Sequence, residues 1–464
     1  MRAWLFGVAL ALALPAAARA QDQDPEEALR QRKQVALTKG VRWLAEQQEP
    51  DGSWKYDNSP LQLSYYPMTQ GVTALCAFAL LKCGVEPGDP TIEKAFAYMR
   101  AQELQHTYSV SCVLLAIEAR INYEPPPEED RAQTSERRRR GGGGRSPQDL
   151  DLARRCVEFL RAHQQVGLWR YPSGTQEDVS NTQYAMLALD AAERLKLDVP
   201  RDMYEKVAAR LLEAQEKDGD PVPPFAVPGA DQTFRELRAI QADLEKEIRT
   251  LERKFRRDPA APDKDGMTLD DHMQTAERGA ARRIYESGER PAMRARGWAY
   301  FLPGEGGQPW QTTVNGSMTA SAVAALFICK SRLEGTSRWE RELEPRVNQA
   351  LRDGAAWLAK NYSITGNPGS DKHHFYYLYG FERAGILGLI GRFGDHDWYQ
   401  EGCELFLGRQ RADGMWTAGF AGTSGPVPDT CFALLFLARG TTPVINVPRR
   451  VMTGGNAYGG GGGQ

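Results

Sequence analysis

The chain has 464 residues, with 58 Lys plus Arg against 60 Asp plus Glu and a formal net charge of -2. That balance excludes a general electrostatic pull toward nucleic acid or anionic membrane, so no nucleic-acid partner is expected. At 41% hydrophobic and 25% charged the composition is that of a globular protein with a large core, not a fibrous or disordered one.

Residues 1–20 carry Arg2, an apolar stretch from Trp4 to Leu14 and Ala18-Arg19-Ala20 before a polar segment. This reads as a cleavable signal peptide with the mature chain starting at Gln21, exported to the periplasm or secreted. No Cys sits at the cleavage point and no later stretch approaches 18 uninterrupted apolar residues, so no integral membrane segment is expected after cleavage. The seven cysteines are spread singly, unlike a disulfide-stapled framework. Cys76 and Cys83 lie about 10 Å apart along one helix, too far to bridge, and a bridge between units stays open.

Six helix pairs follow, at about 29–84, 90–121, 149–197, 201–330, 336–392 and 395–439. First helices such as that around Asp151-Leu-Ala-Arg-Arg-Cys-Val-Glu-Phe-Leu are amphipathic and predict an outer, half-wetted layer. Second helices such as Thr319-Ala-Ser-Ala-Val-Ala-Ala-Leu-Phe-Ile are apolar all round and predict a buried inner layer. Residues 122–148, with Pro-Pro-Pro, Arg137 to Arg140 and Gly141 to Gly144, read as a low-complexity linker. Residues 229–295 carry apolar positions at three and four spacing in two runs and predict an antiparallel helical hairpin projecting from the body, with a seam satisfied by its own two helices. From Thr441 to 464 the chain is Gly-rich and predicts a disordered tail.

The joints between paired helices carry a repeated signature. Gln48-Glu-Pro-Asp51-Gly52-Ser-Trp54 and Gln410-Arg-Ala-Asp413-Gly414-Met-Trp416 both read Q-x-x-x-G-x-W. Gln165-Val-Gly167-Leu-Trp169 is two residues shorter, and Gln215-Glu-Lys-Asp218-Gly219 reads as a copy without its Trp. Glycine allows the tight turn, while the Gln amide and the indole tie it to a neighbouring helix. These copies resemble the QW repeats of the terpenoid cyclase and protein prenyltransferase superfamily, also called prenyltransferase and squalene oxidase repeats. The resemblance covers residues 29–439 and implies an all-α, (α/α)6 toroid, with the hairpin as an insertion in the fourth unit.

In such a ring the inner helices begin at one end, and their first turns line the mouth of a central cavity. That rim would collect Tyr65, Tyr66, His106, Tyr108, Asp178, Asn181, Tyr184, Asn315, His373, His374, Tyr376, Tyr377, Asp429 and Cys431. Asp178-Val-Ser180-Asn181-Thr182 stands where class II terpene cyclases carry D-x-D-D-T, but Ser180 and Asn181 replace the carboxylates that protonate the substrate. Asp429-Thr-Cys431 resembles the Asp-x-Cys pair of the prenyltransferase zinc site, yet no His follows Cys431. No metal or cofactor is therefore expected, with Asp429 read as a helix N-cap and Cys431 as a buried small residue.

The expected function is that of a non-cyclising toroid that binds an unknown small molecule, isoprenoid-like or glycan, or a protein partner. Tyr66, His106, Tyr108, Asn181, Tyr184, His373, Tyr376 and Tyr377 are the expected cavity residues. An alternative is an enzyme, cyclase-like, lyase or hydrolase, using Asp178, His374 and Asp429. A second alternative is an envelope scaffold docking through the hairpin.

Overall fold

The computed structural model describes residues 25–56, 68–133, 146–172, 174–286, 290–337, 339–419 and 424–452. The expected signal peptide, Tyr65 and Tyr66 lie outside them. The described chain is all-α apart from one two-stranded ribbon. In order it forms α1 (Pro25–Glu46), α2 (Thr69–Lys82), α3 (Pro90–Ala101), α4 (Thr107–Ile121), α5 (Pro147–His163), α6 (Val179–Arg194), α7 (Arg201–Ala214) and β1 (Pro221–Val222). There follow α8 (Pro228–Asp231), α9 (Phe234–Lys254), α10 (Leu269–Tyr285), β2 (Met293–Arg294), α11 (Pro309–Thr312) and α12 (Gly316–Leu333). The chain continues with α13 (Glu344–Lys360), α14 (His374–Gly388), α15 (Trp398–Arg409), α16 (Pro426–Leu437) and α17 (Arg449–Met452).

Helix starts follow local chemistry. Asp89 and Ser146 cap helices whose first residue is proline, and Asp178, Asn315 and Asp397 accept from the third backbone N–H of α6, α12 and α15. Helices α2, α4, α6, α12, α14 and α16 are buried on nearly every side, as their small apolar residues require. Helices α5, α7 and α13 bury one stripe, such as Leu152, Cys156 and Leu160 on α5. The six buried helices pack α2 on α4, α4 on α6, α6 on α12, α12 on α14 and α14 on α16, and α16 packs back on α2. At that last seam Cys76 and Cys431, both free thiols, bring their sulfurs to 3.6 Å. The stretch Pro309–Leu333 is long and apolar enough to cross a membrane by length and composition, and 83% of its apolar window is buried inside the protein.

Four joints share one set of hydrogen bonds. The indole N–H of Trp54, Trp169, Trp298 and Trp416 donates at 2.7–2.8 Å to the carbonyls of Leu44, Leu160, Leu211 and Phe406, near the end of the preceding first helix. Each Trp backbone N–H donates to a threonine hydroxyl near the start of the following second helix: Thr73, Thr182, Thr319 and Thr430. One glutamine per joint donates both to the turn and to the next first helix in the cycle. Gln48 reaches Gly52 and Thr91, Gln164 reaches Gly167 and Met203, Gln215 reaches Arg296 and Ala350, and Gln410 reaches Gly414 and Ala36. Gly52 and Gly414 have φ of 91° and 101°, and a Cβ on either would meet a backbone carbonyl of Lys94 or Lys39 at 2.4–2.5 Å. Only glycine fits there.

Two sequence assignments change. The active glutamine of the third joint is Gln164, at the C-cap of α5; Gln165 turns back to the His163 carbonyl. The fourth joint has not lost its tryptophan. Trp298 fills that place, displaced in sequence because the insertion enters between Gln215 and Trp298 and its ends are clamped by the β1–β2 ribbon.

The insertion and tail differ from expectation as well. Helices α9 and α10 pair, but the hairpin does not stand alone: Glu334 accepts from the Phe234 and Arg235 N–H groups, Lys330 donates to the Gln232 carbonyl, and Tyr285 donates to Leu389. Part of the expected disordered tail is ordered. Ile445, Val451 and Met452 are buried, α17 packs on α10, and Arg450 pairs with Asp270. Its apolar residues precede the glycines, which begin at Gly454, and supply a core that the composition of the whole tail hid; residues 453–464 lie outside the described ones. In the linker, Asp130 pairs with buried Lys33 and Ala132 donates to the Cys83 carbonyl, so 122–133 packs on the body. Residues 134–145 lie outside the described ones.

Candidate functional site

Three hydroxyls from three buried helices meet at their N-terminal ends. Tyr108 lies in the first turn of α4, Ser180 in that of α6 and Tyr376 in that of α14. Ser180 and Tyr376 share a hydrogen bond of 2.8 Å, Tyr108 and Tyr376 one of 3.2 Å, and Tyr108 also bonds Ser180. One turn deeper, Gln183 donates through Nε2 to the Tyr376 oxygen. The Tyr376 proton is thereby directed toward Ser180 or Tyr108.

The floor below is closed. Arg383 is wholly buried, donates Nη1 to Gln183 Oε1 at 2.7 Å and Nη2 to the Tyr184 hydroxyl at 3.3 Å, and has its guanidinium 3.8 Å from the Tyr379 ring and 4.8 Å from the Tyr184 ring. Among the described residues no carboxylate pairs with it, and the aromatic faces take that part. Its neighbour Glu382 is turned elsewhere, accepting from the Thr441 hydroxyl at 2.6 Å, and burial pushes its carboxyl up to about 7.

Above the hydroxyl triad lies a run of rings. Tyr108 sits 4.7 Å from Tyr184 and 5.9 Å from Tyr171, Tyr171 hydrogen-bonds Tyr300, and Tyr300 lies 5.5 Å from Trp310. Tyr108, Tyr171 and Tyr300 are half-buried and Trp310 is 60% exposed, so this side opens to solvent. Burial holds the phenols of Tyr108, Tyr171 and Tyr300 well above their ordinary range, so they are neutral at physiological pH.

Asp178 borders the same opening but its carboxylate is engaged. Oδ1 accepts from the Asn181 N–H at 2.6 Å and Oδ2 from the Asn181 side chain at 2.9 Å, while Val179 N–H donates to the Tyr300 carbonyl and Phe301 bridges to Asp178. Burial pushes this carboxyl up to about 7 against the pull of those bonds. The other two proposed catalytic groups lie elsewhere. His374 donates Nε2–H to the Ile364 carbonyl at 2.9 Å and accepts from Arg409, and burial lowers it to about 4. Asp429 is buried and accepts from Ala418 N–H at 2.8 Å and Ser424 N–H at 3.0 Å. It does not cap α16, because that helix starts at Pro426 with Gly425 at the cap. No hydrogen bond among the described residues joins Asp178, His374 and Asp429.

His373 takes a left-handed conformation, with φ of 59°, before α14 and meets Ser424 at 3.4 Å. His106 is buried at the cap of α4, and Tyr377 is buried against Phe381, away from the triad. Asn315 caps α12 and pairs with Ser317. The zinc set implied by the resemblance does not fit: both Asp429 oxygens hold loop amides, Cys431 faces Cys76, and among the described residues no three His, Cys, Asp or Glu gather around one point. The stretch from His373 to Arg383, with Tyr379, reads in sequence as a polar-aromatic binding surface and Ser180 as a lost acid position, whereas Gln183, Tyr171, Tyr300 and Trp310 are not marked as site residues. For two of them a signal existed: Trp54-Lys-Tyr56, Trp169-Arg-Tyr171 and Trp298-Ala-Tyr300 all read W-x-Y at the joints.

Compared with known proteins, the chain matches no family model and no curated protein.

Proposed function

We propose that the chain is an (α/α)6 toroid of the terpenoid cyclase and prenyltransferase type that binds a small molecule at the mouth of its ring without cyclising or prenylating it. The ring reading is supported by the cycle of helix contacts from α2 round to α16 and back, and by Gln410 tying the last joint to α1 as Gln48 ties the first to α3. The observation that carries the binding reading is the Tyr108–Ser180–Tyr376 hydroxyl triad. It is polar, built from three separate helices, bordered by half-exposed rings and backed by a closed floor, the mixture typical of ligand sites.

Cyclisation of an isolated alkene needs a strong, positioned acid. Ser180 is a hydroxyl, and Asp178 is weakened as an acid by burial and held by Asn181. Thermal-shift screening of the purified chain against oligosaccharides, isoprenoid alcohols and squalene tests the reading, with mass spectrometry of the squalene extract. At least one class raises the melting midpoint, the rise is lost in Tyr376→Ala, and squalene is recovered unchanged. A cyclic product, or no stabilising class at all, contradicts it.

A further inference from the structure

We propose that the ligand class is a neutral saccharide, with one sugar ring stacked on the Trp310–Tyr300 platform and its hydroxyls meeting the Tyr108–Ser180–Tyr376 triad. This rests on the binding reading above and names its ligand.

A single exposed tryptophan needs no explanation, but a run of rings in contact does. Trp310 is 60% exposed and touches Tyr300 at 5.5 Å and Phe301 at 6.4 Å, and Tyr300 continues through Tyr171 to Tyr108. The loop that presents Trp310 is held in place. Gln311 Oε1 accepts from Gly307 N–H and Gln308 N–H, each at 2.9 Å, and the Gln311 carbonyl accepts from Phe301 N–H at 3.0 Å. The exposed indole is therefore a fixed surface rather than a loose end.

The charge pattern selects among ligands. The charged groups nearest the opening are withdrawn from it: Arg383 is wholly buried under Gln183 and Tyr184, the Asp178 oxygens are taken by Asn181, and Glu305 pairs with Arg210 at 3.6 Å. What faces the opening is the exposed Trp310 indole and the half-buried rings of Tyr300, Tyr171 and Tyr108, with the buried Ser180 and Tyr376 hydroxyls behind them. An isoprenoid chain laid on the half-buried tyrosines would offer their phenol hydroxyls no hydrogen bond. An anionic ligand would find Arg383 sealed below, Arg210 already paired with Glu177 and Glu213, and Arg170 turned to the Thr175 carbonyl. A sugar supplies a C–H face for the rings and hydroxyls for the triad, so both halves of the lining are satisfied.

The test uses the full chain with hexasaccharides of glucose, mannose and N-acetylglucosamine in different linkages, and with farnesol as the isoprenoid arm, each titrated by calorimetry. A neutral hexasaccharide binds. Trp310→Ala weakens it at least tenfold, Trp310→Phe restores most of the affinity, and neither variant moves the melting midpoint by more than a degree or two. Farnesol binding with no hexasaccharide binding would overturn the saccharide class while leaving the binding reading intact. Hexasaccharide binding unchanged in Trp310→Ala would overturn the platform, and binding of neither probe class would overturn both.

Discussion

The four Gln–Trp joints and the mouth are both made of polar and aromatic side chains at helix ends, yet they behave oppositely. At the joints every specific group is spent inside the protein: the indoles are fully buried, each donates to a carbonyl, and each glutamine bridges two backbones. At the mouth Trp310 is exposed, the rings of Tyr108, Tyr171 and Tyr300 are half-buried, and the Tyr108–Ser180–Tyr376 hydroxyl triad behind them is assembled at one place only. Chemistry repeated at the four joints builds the body; chemistry assembled once, beside exposed rings, is free for a ligand.

The largest break in that comparison is expected from the joints. Trp298→Ala or Trp416→Ala removes a wholly buried indole and should cost about 3–5 kcal/mol, read as a lower urea midpoint. A loss under about 1 kcal/mol in Trp298→Ala would undo its assignment to the fourth joint.

Next comes pH. Asp178 is raised from the ordinary carboxyl range to about 7, so the folded protein holds this proton more tightly than the unfolded chain. Its contribution is complete below about pH 4 and is lost as pH rises through about 7. Asp178→Asn keeps a capping side chain but removes the ionisation. The variant should therefore gain on the parent as pH rises from 4 to 8, by no more than about 4 kcal/mol. A difference in urea midpoint that stays flat across that range would mean Asp178 ionises freely at the mouth.

A smaller effect separates two adjacent glutamines. Gln164→Ala leaves the Gly167 and Met203 carbonyls short of a donor and should cost about 1–3 kcal/mol, whereas Gln165→Ala should stay within about 0.5 kcal/mol. Equal losses would restore Gln165 to the motif.

The mouth should respond least in stability and most in binding. Ser180→Ala removes one hydroxyl of the triad for about 1 kcal/mol, while saccharide affinity falls at least tenfold in titration calorimetry. A loss of stability as large as at the joints, with affinity kept, would make the triad a structural network.

The helix pairs and the two full joints were legible because they rest on local rules, apolar periodicity and a glycine turn with its tryptophan. The fourth joint was not, because the insertion separates Gln215 from Trp298 and the pattern survives only in space. Nor were Arg383 and Gln183 legible as a floor: Arg383 beside Glu382 reads as a local ion pair, but on the helix the two face different ways, toward Tyr184 and toward Thr441. Tyr171 and Tyr300 sit in loops, where no helical period marks a shared surface, and only their distance from the joint tryptophans gives them away. Residue type at a helix start marks Asp178 and His374 as candidates, but hydrogen bonds that no sequence displays decide that one caps and the other ties a loop.

Hydrogen–deuterium exchange of the full chain, with and without a saturating neutral hexasaccharide, tests the division between joints and mouth most directly. Added protection is expected in the backbone around Tyr108, 169–181, 300–311 and 373–377, with the segments around Trp54 and Trp416 equally slow in both states. Protection confined to α9 and α10, or spread evenly over the joints, would contradict a ligand site at the mouth.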